Sequence, residues 1–419
     1  VAIRPEPPRA DIALPWDAPV ADVVATMAGA RARGGDTFVV DSGGVDHLFL
    51  FSPEGVRSFY ALPEAEASKG VADWQMLLRK LPPELFDGRR TLPHDLFGRE
   101  DAGAHLAALD AAIDEELAVL GEAGEVDVFA LTRRLGHRMG LAAWGGTASA
   151  RGERFTALVE ALDELDGSDA FVHPGEMAAV AAGDHARERA AMARAEALLG
   201  ETLAERRDQP VDDLLGRIIE RWDGDDQGVA RDVILVHLGS MSNLFAALGW
   251  TIVDLLLHPD VQARVRGGED GLLERCALES TRLAQRSIML RAVLRPTTVA
   301  DETSTWAVEP GDVVATFLPL TNTSAMPGLE RYDPDRWQRR RLRDEDQLAA
   351  RELVTTFGHG RHTCPAMPFS LAAMTRSVQR LLDAHDLDAG FDQARPLPGQ
   401  IGGVARADGP CPMRYSARR

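Results

Sequence analysis

The stretch "TTFGHGRHTCPAMPFSLAAM", residues 355–374, gathers one of the chain's three cysteines with two histidines, two glycines and an arginine, ahead of an apolar run suited to a helix. A cysteine just before a helix has two uses. As a thiolate it holds a metal ion, because the backbone N–H groups and positive dipole end at a helix mouth stabilise the negative sulfur. As a thiol it fills a small buried site and does no chemistry. The neighbours favour the first use. Phe357 is spaced to pack beside a metal-bound ring, and Gly358 and Gly360 allow turns that a Cβ resists.

Such a loop needs a scaffold, and composition bounds it. The 419 residues are 45% hydrophobic and 26% charged, enough for a large core in one big domain or in two to three ordinary ones. The net charge of −19 argues against nucleic acid as the main partner, since phosphate binding wants clustered Lys and Arg. Abundant Ala, Gly, Asp and Arg is a composition common in high-GC bacteria. Cys276, Cys364 and Cys411 show no paired spacing, which predicts a reducing cytoplasm over a disulfide framework. The opening "VAIRPEPPRADIALPW" has no apolar core of a signal peptide. The longest apolar stretch, "VILVHLGSMSNLFAALGWTIVDLLL" at 233–257, contains His237, Ser240, Ser242, Asn243 and Asp254, and is expected to be a buried helix, with no membrane span.

Along the chain, "PVADVVATMAGARARGG" reads as a helix closed by Gly-Gly, and "DTFVVDSGG" with "DHLFLFS" as two strands around a Gly-Gly turn. "SPEGVRSFYALPE" reads as a helix with Pro and an acid in its first turn. The stretch from "ASKGVADWQMLLRKLPPELF" to "LPHDLFG" is broken by Pro and Gly and reads as irregular. Residues 100–200 are helical in pattern, the apolar helix ends at His258-Pro259, and helices continue to about 287. Short strands are expected over 288–320 and in the tail at "GGVARA". No repeat or linker marks a boundary. The fold class expected is mainly α with a smaller β portion (α+β), in one domain spanning 1–419.

With these residues in view, the 355–374 loop resembles the haem-binding loop of the cytochrome P-450 family, F-x-x-G-x-[HR]-x-C-x-[GA]. The resemblance implies a haem b (iron protoporphyrin IX) with Cys364 as the proximal iron ligand and His362 as a propionate partner. Ala366 stands where glycine is more usual, and Pro365 follows the cysteine. An axial thiolate pushes electron density onto haem iron and favours O–O cleavage. Two further motifs fall in the family's order. "ESTR" supplies Glu279 and Arg282, and "RYDPDRW" supplies Arg336, together resembling the family's buried ion triad. Arg291 in "IMLRAVLR" matches a second propionate contact. For a further propionate contact, Trp74 with Arg79, and Arg89 with Arg90, remain alternatives.

The distal helix departs from the family pattern A-G-x-[DE]-T. Anchored on His258-Pro259, the matching segment is Gly239-Ser240-Met241-Ser242-Asn243, so Ser242 replaces the acid and Asn243 the threonine. A register one residue earlier also lacks the acid. Neither side chain ionises near neutral pH, so neither shuttles protons as a carboxylate does. Asn243 either donates from its amide to a reacting oxygen or merely satisfies a backbone group. A similar G/A-S-x-x-N pattern occurs in bile-acid 7α-hydroxylase, a monooxygenase, and in prostacyclin synthase, an isomerase.

The resemblance therefore implies a monooxygenase with dioxygen as cosubstrate, acting on a small apolar molecule, free or tethered to a carrier, in specialised metabolism. Electrons would come from ferredoxin and ferredoxin reductase. The run Arg339-Arg340-Arg341 is either a docking charge for an acidic ferredoxin or a solvated loop. The rivals are a haem-thiolate isomerase, dehydratase, peroxygenase or coupling enzyme, and a haem-binding protein without turnover. Expected pocket residues are Met241, Ser242, Asn243, Ala246 and Ala247, with the 292–294 segment, the 60–85 loop and the tail at 401–404.

Overall fold

The computed structural model describes residues 6–88, 102–166, 171–208, 213–222, 225–338, 342 and 347–418. The fold is mainly α with a smaller β portion, as the sequence predicts. Helix α1 (Val23–Gly34) opens on Asp22, whose side chain accepts from the Ala25 N–H, and closes at Gly35 with φ +86°. Strands β1 (Thr37–Ser42) and β2 (Val45–Leu50) form an antiparallel hairpin, with Ser42 opposite Val45 and both turn glycines at positive φ. Helix α2 (Pro53–Ala61) is capped by Ser52.

Among its described residues, the region read as irregular holds a short strand, an α-helix and a 3-10 turn at Pro83–Phe86. Strand β3 (Ala67–Ser68) leads into helix α3 (Lys69–Leu77), because the Ser68 hydroxyl accepts from the Val71 N–H and starts a helix despite Gly70. Then follow α4 (Ala102–Leu120), β4 (Ala123–Asp127), α5 (Val128–Trp144), α6 (Gly152–Asp166), α7 (Met177–Ala182), α8 (Ala186–Asp208) and α9 (Leu214–Trp222). The long apolar stretch is α10 (Asp226–Leu257), followed by α11 (Pro259–Arg266) and α12 (Leu272–Ala284). Strands β5 (Ile288–Val293), β6 (Thr297–Ala300), β7 (Thr305–Val308) and β8 (Val313–Phe317) precede α13 (Leu318–Ser324), α14 (Met367–Ala384), β9 (His385–Ala389) and β10 (Pro412–Ala417).

The larger sheet runs β1-β2-β8-β5-β3, with β2 and β8 parallel and its other pairs antiparallel; β4-β10-β9 form a second sheet, and β6-β7 pair alone. "GGVARA" is not a strand but makes isolated bridges, Gln285 with Val404 and Pro396 with Ala407. Among the described residues α10 is the one helix long and apolar enough to cross a membrane, and 67% of its apolar window is buried within the fold.

Packing decides which face of α10 meets the site. A Cβ on Gly136 would lie 2.9 Å from the Phe245 Cβ, and one on Gly140 would lie 2.8 Å from Met241, so α5 sits close against one face of α10. A polar chain reinforces that contact. Trp144 Nε1–H donates to His237 Nδ1 (3.3 Å), so His237 donates from Nε2 to His137 Nδ1 (2.9 Å), and His137 from Nε2 to Asp163 Oδ1 (2.8 Å). Burial holds the His237 pKa well below its ordinary value. Burial also opposes ionisation of Asp163, but hydrogen bonds from His137 and Arg133 outweigh it and hold that carboxyl at about 2. With this face committed, the opposite face carries Gly239, Ser240, Asn243 and Ala247, at helical spacing.

Candidate active site

The cysteine loop is fixed from α12 outward. Glu279 and Arg282, one turn apart, are fully buried and paired twice, Oε1–Nη2 at 2.7 Å and Oε2–Nε at 2.9 Å. Arg336 Nε reaches Glu279 Oε1 at 3.3 Å, and Trp337 Nε1 donates to Oε2 at 3.0 Å. Arg282 spends Nη1 on the carbonyls of Asn322 (2.6 Å) and Leu329 (2.8 Å). Asn322 in turn clamps the start of the loop: Oδ1 accepts from the Thr355 N–H (2.8 Å) and Nδ2 donates to the Thr355 carbonyl (3.0 Å). Thr355 Oγ1 then accepts from the Gly358 N–H at 2.7 Å. A buried ion cluster thus sets the first turn of the loop.

Gly358 has φ +84°, and a Cβ there would lie 2.4 Å from the His362 carbonyl oxygen. Gly360 has φ +57° with open space around it. Gly358→Ala is therefore expected to cost about 1–3 kcal/mol and Gly360→Ala less, checked by comparing their thermal midpoints. The Cys364 N–H donates to the Phe357 carbonyl (2.7 Å), closing the loop, and the Met367 N–H donates to the Cys364 carbonyl (3.2 Å) at the mouth of α14. Burial pushes the Cys364 thiol up, partly offset by a hydrogen bond from the Ala366 backbone.

Cys364 lines a cavity of about 860 Å³ together with Phe357, Gly358 and His362. Gly239, Ser240, Asn243, Leu244 and Ala247 of α10 line it too. At Gly239 a Cβ would meet nothing within 4 Å. A second chamber of about 330 Å³ shares Gly239, Asn243, Met289 and Val404 with the first, and its wall includes Ser242, Met76, Leu77 and Phe171. The Ser242 hydroxyl donates to the Leu238 carbonyl (3.3 Å). Asn243 Oδ1 accepts from the Val404 N–H (3.0 Å), and a Cβ on Gly403 would stand 2.0 Å from that oxygen. The tail loop is also pinned by Trp250 Nε1 to the Ala405 carbonyl (2.6 Å).

Of the expected pocket residues, Ser242, Asn243, Ala247, the part of the 60–85 segment between Lys69 and Leu81, and the tail at Gly402, Gly403 and Val404 line the chambers. Met241 and Ala246 do not; both are buried in the core. The 292–294 segment is also outside, with Ser287 and Met289 in its place.

One end of the cavity gathers Arg291, His362 and an acid. Arg291, 1% exposed, donates Nε to the Ala67 carbonyl (2.9 Å) and Nη2 to the Leu62 carbonyl (2.7 Å). Its Nη1 lies 3.3 Å from His362 Nε2. Burial lowers the pKa of both groups, and the nearby Glu64 charge opposes this. Glu64, which the sequence reading missed, contacts both: Oε1 lies 3.0 Å from Arg291 Nη2 and 2.9 Å from His362 Nε2. Burial disfavours its charged form, yet hydrogen bonds from Ser68 and the Lys69 N–H, with Arg291 and His362, hold its carboxyl below the usual range. Trp74 is half exposed, and Arg79 lies over the Trp16 ring at 5.9 Å, so neither lines the cavity. Arg89, Arg90 and Arg339 to Arg341 lie outside the described residues.

Among the described residues no three His, Cys, Asp or Glu side chains gather as a metal site, so a metal on Cys364 has to bring its other ligands with it. The cavity fits an iron porphyrin on that ground. It has a thiol on its floor, a bare glycine on the facing helix, mostly apolar walls, and at one end the His362 imidazole backed by the buried Arg291 guanidinium.

No family model matches the chain. A 24-hydroxycholesterol 7-alpha-hydroxylase of Homo sapiens is 25% identical over 212 residues, covering 44% of this chain and 43% of the human protein. A sterol 14alpha-demethylase of Mycolicibacterium vanbaalenii is 25% identical over 166 residues, 35% of this chain and 34% of its own. A cytochrome P450 monooxygenase of Gibberella zeae is 25% identical over 196 residues, 40% of this chain and 37% of its own. The chain thus spans less than half the length of these curated relatives. Over roughly two fifths of its length, the chain is similar to cytochrome P450 proteins.

Proposed function

We propose that this chain is a single haem-binding domain with a cytochrome P-450-type monooxygenase activity, acting with dioxygen on a small, mostly apolar molecule. The observation that carries the reading is the Cys364 thiol at the mouth of α14, on the floor of a cavity roofed by the open face of α10. When bound, haem b with an axial thiolate supplies O–O bond cleavage. The chain's own residues do the rest. Cys364 would ligate the iron, Arg291 and His362 would hold the propionates, and Phe357, Gly358 and Gly360 shape the loop that carries the cysteine. Electrons come from ferredoxin and its reductase, the setting is the bacterial cytoplasm, and the pathway is specialised metabolism. The similarity to an oxysterol 7α-hydroxylase supports oxygen insertion by a chain of this kind.

The distal residues favour a second reading, a haem-thiolate isomerase, dehydratase, peroxygenase or coupling enzyme. Ser242 and Asn243 carry no carboxyl group, and the oxygens they do carry are engaged, the Ser242 hydroxyl with a helix carbonyl and the Asn243 carbonyl with the Val404 N–H. Asn243 keeps only its amide N–H groups for a ligand in the chambers. The two readings separate on one experiment: conversion that needs reductant and labelled dioxygen, with label in the product, supports the monooxygenase. Conversion without any electron source overturns it.

Asn243→Ala is expected to lower the share of consumed reductant recovered in product while haem content holds. An equal loss of haem would make Asn243 structural, acting through its bond to Val404.

A further inference from the structure

Glu64 gathers two parts of the site onto one side chain, and nothing in the reading above assigns it a role. Its Oε1 faces Arg291 Nη2 (3.0 Å) and His362 Nε2 (2.9 Å), while Oε2 accepts from Ser68 Oγ (2.9 Å) and the Lys69 N–H (3.2 Å). Arg291 Nη1 donates to His362 Nε2 (3.3 Å), so that ring nitrogen accepts, and Glu64 Oε1 stands 2.9 Å from it, holding the ring edge between the carboxylate and the guanidinium. Arg291 directs Nε and Nη2 to the 62–67 loop and to Glu64 and gives one Nη1 hydrogen to His362, which leaves the second Nη1 hydrogen for a carboxylate at the cavity end.

The other oxygen belongs to α3. Ser68 donates to Glu64 while its hydroxyl oxygen accepts from the Val71 N–H, so the cap of α3 hangs on this carboxylate. A negative charge there is also favoured by the helix dipole. Lys69, Gly70, Asp73, Met76 and Leu77 then wall the two chambers.

We propose that Glu64 is a positioning residue that joins the haem-edge residues Arg291 and His362 to the first turn of α3, so that the grip on the haem and closure of the chambers depend on one another. The inference rests on the haem-thiolate reading. Partners that orient metal-site ligands typically matter by 10- to 100-fold in affinity.

The test is the rate at which the haem-loaded protein gives up its haem to excess apomyoglobin, for Glu64→Ala, Glu64→Gln, Ser68→Ala and the Glu64→Ala/Ser68→Ala double variant. Glu64→Ala is expected to lose haem roughly tenfold faster. Ser68→Ala touches neither Arg291 nor His362, yet is expected to speed haem loss when Glu64 is present and to have a clearly smaller effect in the Glu64→Ala background, where only its bond to the Val71 N–H is left to lose. Should Glu64→Ala fail to fold, Glu64→Gln keeps the volume and is expected to speed haem loss as well. Parent-like haem loss in the Glu64 variants overturns the inference. So does an equal effect of Ser68→Ala in both backgrounds. A parent chain that takes up no haem overturns the functional reading, and this inference with it.

Discussion

Cys364→Ser is expected to abolish thiolate-type haem absorption and substrate oxidation, while the rest of the fold stays close to that of the parent. The side chain sits at the cavity floor, with its loop held by backbone bonds that a serine preserves: the residue 364 N–H to the Phe357 carbonyl, and the Thr355 hydroxyl on Gly358. What serine removes is a soft, easily ionised sulfur ligand. Because the substitution is nearly isosteric, the folding cost is small and the spectroscopic loss large. The measurement is the haem spectrum of the variant beside the parent, with thermal midpoint as the control. An unchanged spectrum would end the assignment of Cys364 as ligand.

Arg282→Met is expected to cost about 3–5 kcal/mol, the range for removing one partner of a buried charge pair. Arg282 and Glu279 have no exposed side-chain surface, and the remaining partners of Glu279 are a longer contact to Arg336 (3.3 Å), the Trp337 indole and the Asp333 N–H (3.2 Å). The damage extends past the pair, because Arg282 also holds the Asn322 and Leu329 carbonyls, and Asn322 clamps Thr355 at the start of the cysteine loop. Haem content should fall along with the denaturation midpoint. Replacing both partners, Glu279→Leu with Arg282→Met, should cost less than Arg282→Met alone, since no buried charge is stranded. A single variant with parent stability would show that the cluster contributes nothing.

The legibility of this chain followed how local each signal was. The first hairpin was readable because two glycines at positive φ sit between alternating strands. Helix α10 was readable from its apolar run and its stop at His258-Pro259. Helix α3 was read as irregular because prolines and glycines surround it, while its start depends on one serine hydroxyl. Strand β4, Ala123–Asp127, is largely exposed and pairs with β10 almost three hundred residues later, a partner no local pattern announces. In the candidate site, Cys364 and the glycines stand out in one short loop, while His362 is marked only by the resemblance to the family's loop. Glu64 was invisible for the opposite reason: an acid in a proline-bounded loop looks like surface until the sheet brings Arg291 and His362 to it. Met241 and Ala246 were misjudged because the sequence does not state which face of α10 the close-packed glycines of α5 will claim.

The most direct test of the account is the absorption spectrum of the purified, haem-supplemented protein, reduced and exposed to carbon monoxide. The account predicts stoichiometric haem and the strongly red-shifted Soret band that thiolate ligation gives. A protein that takes up no haem, or a Soret band typical of histidine ligation, would contradict it.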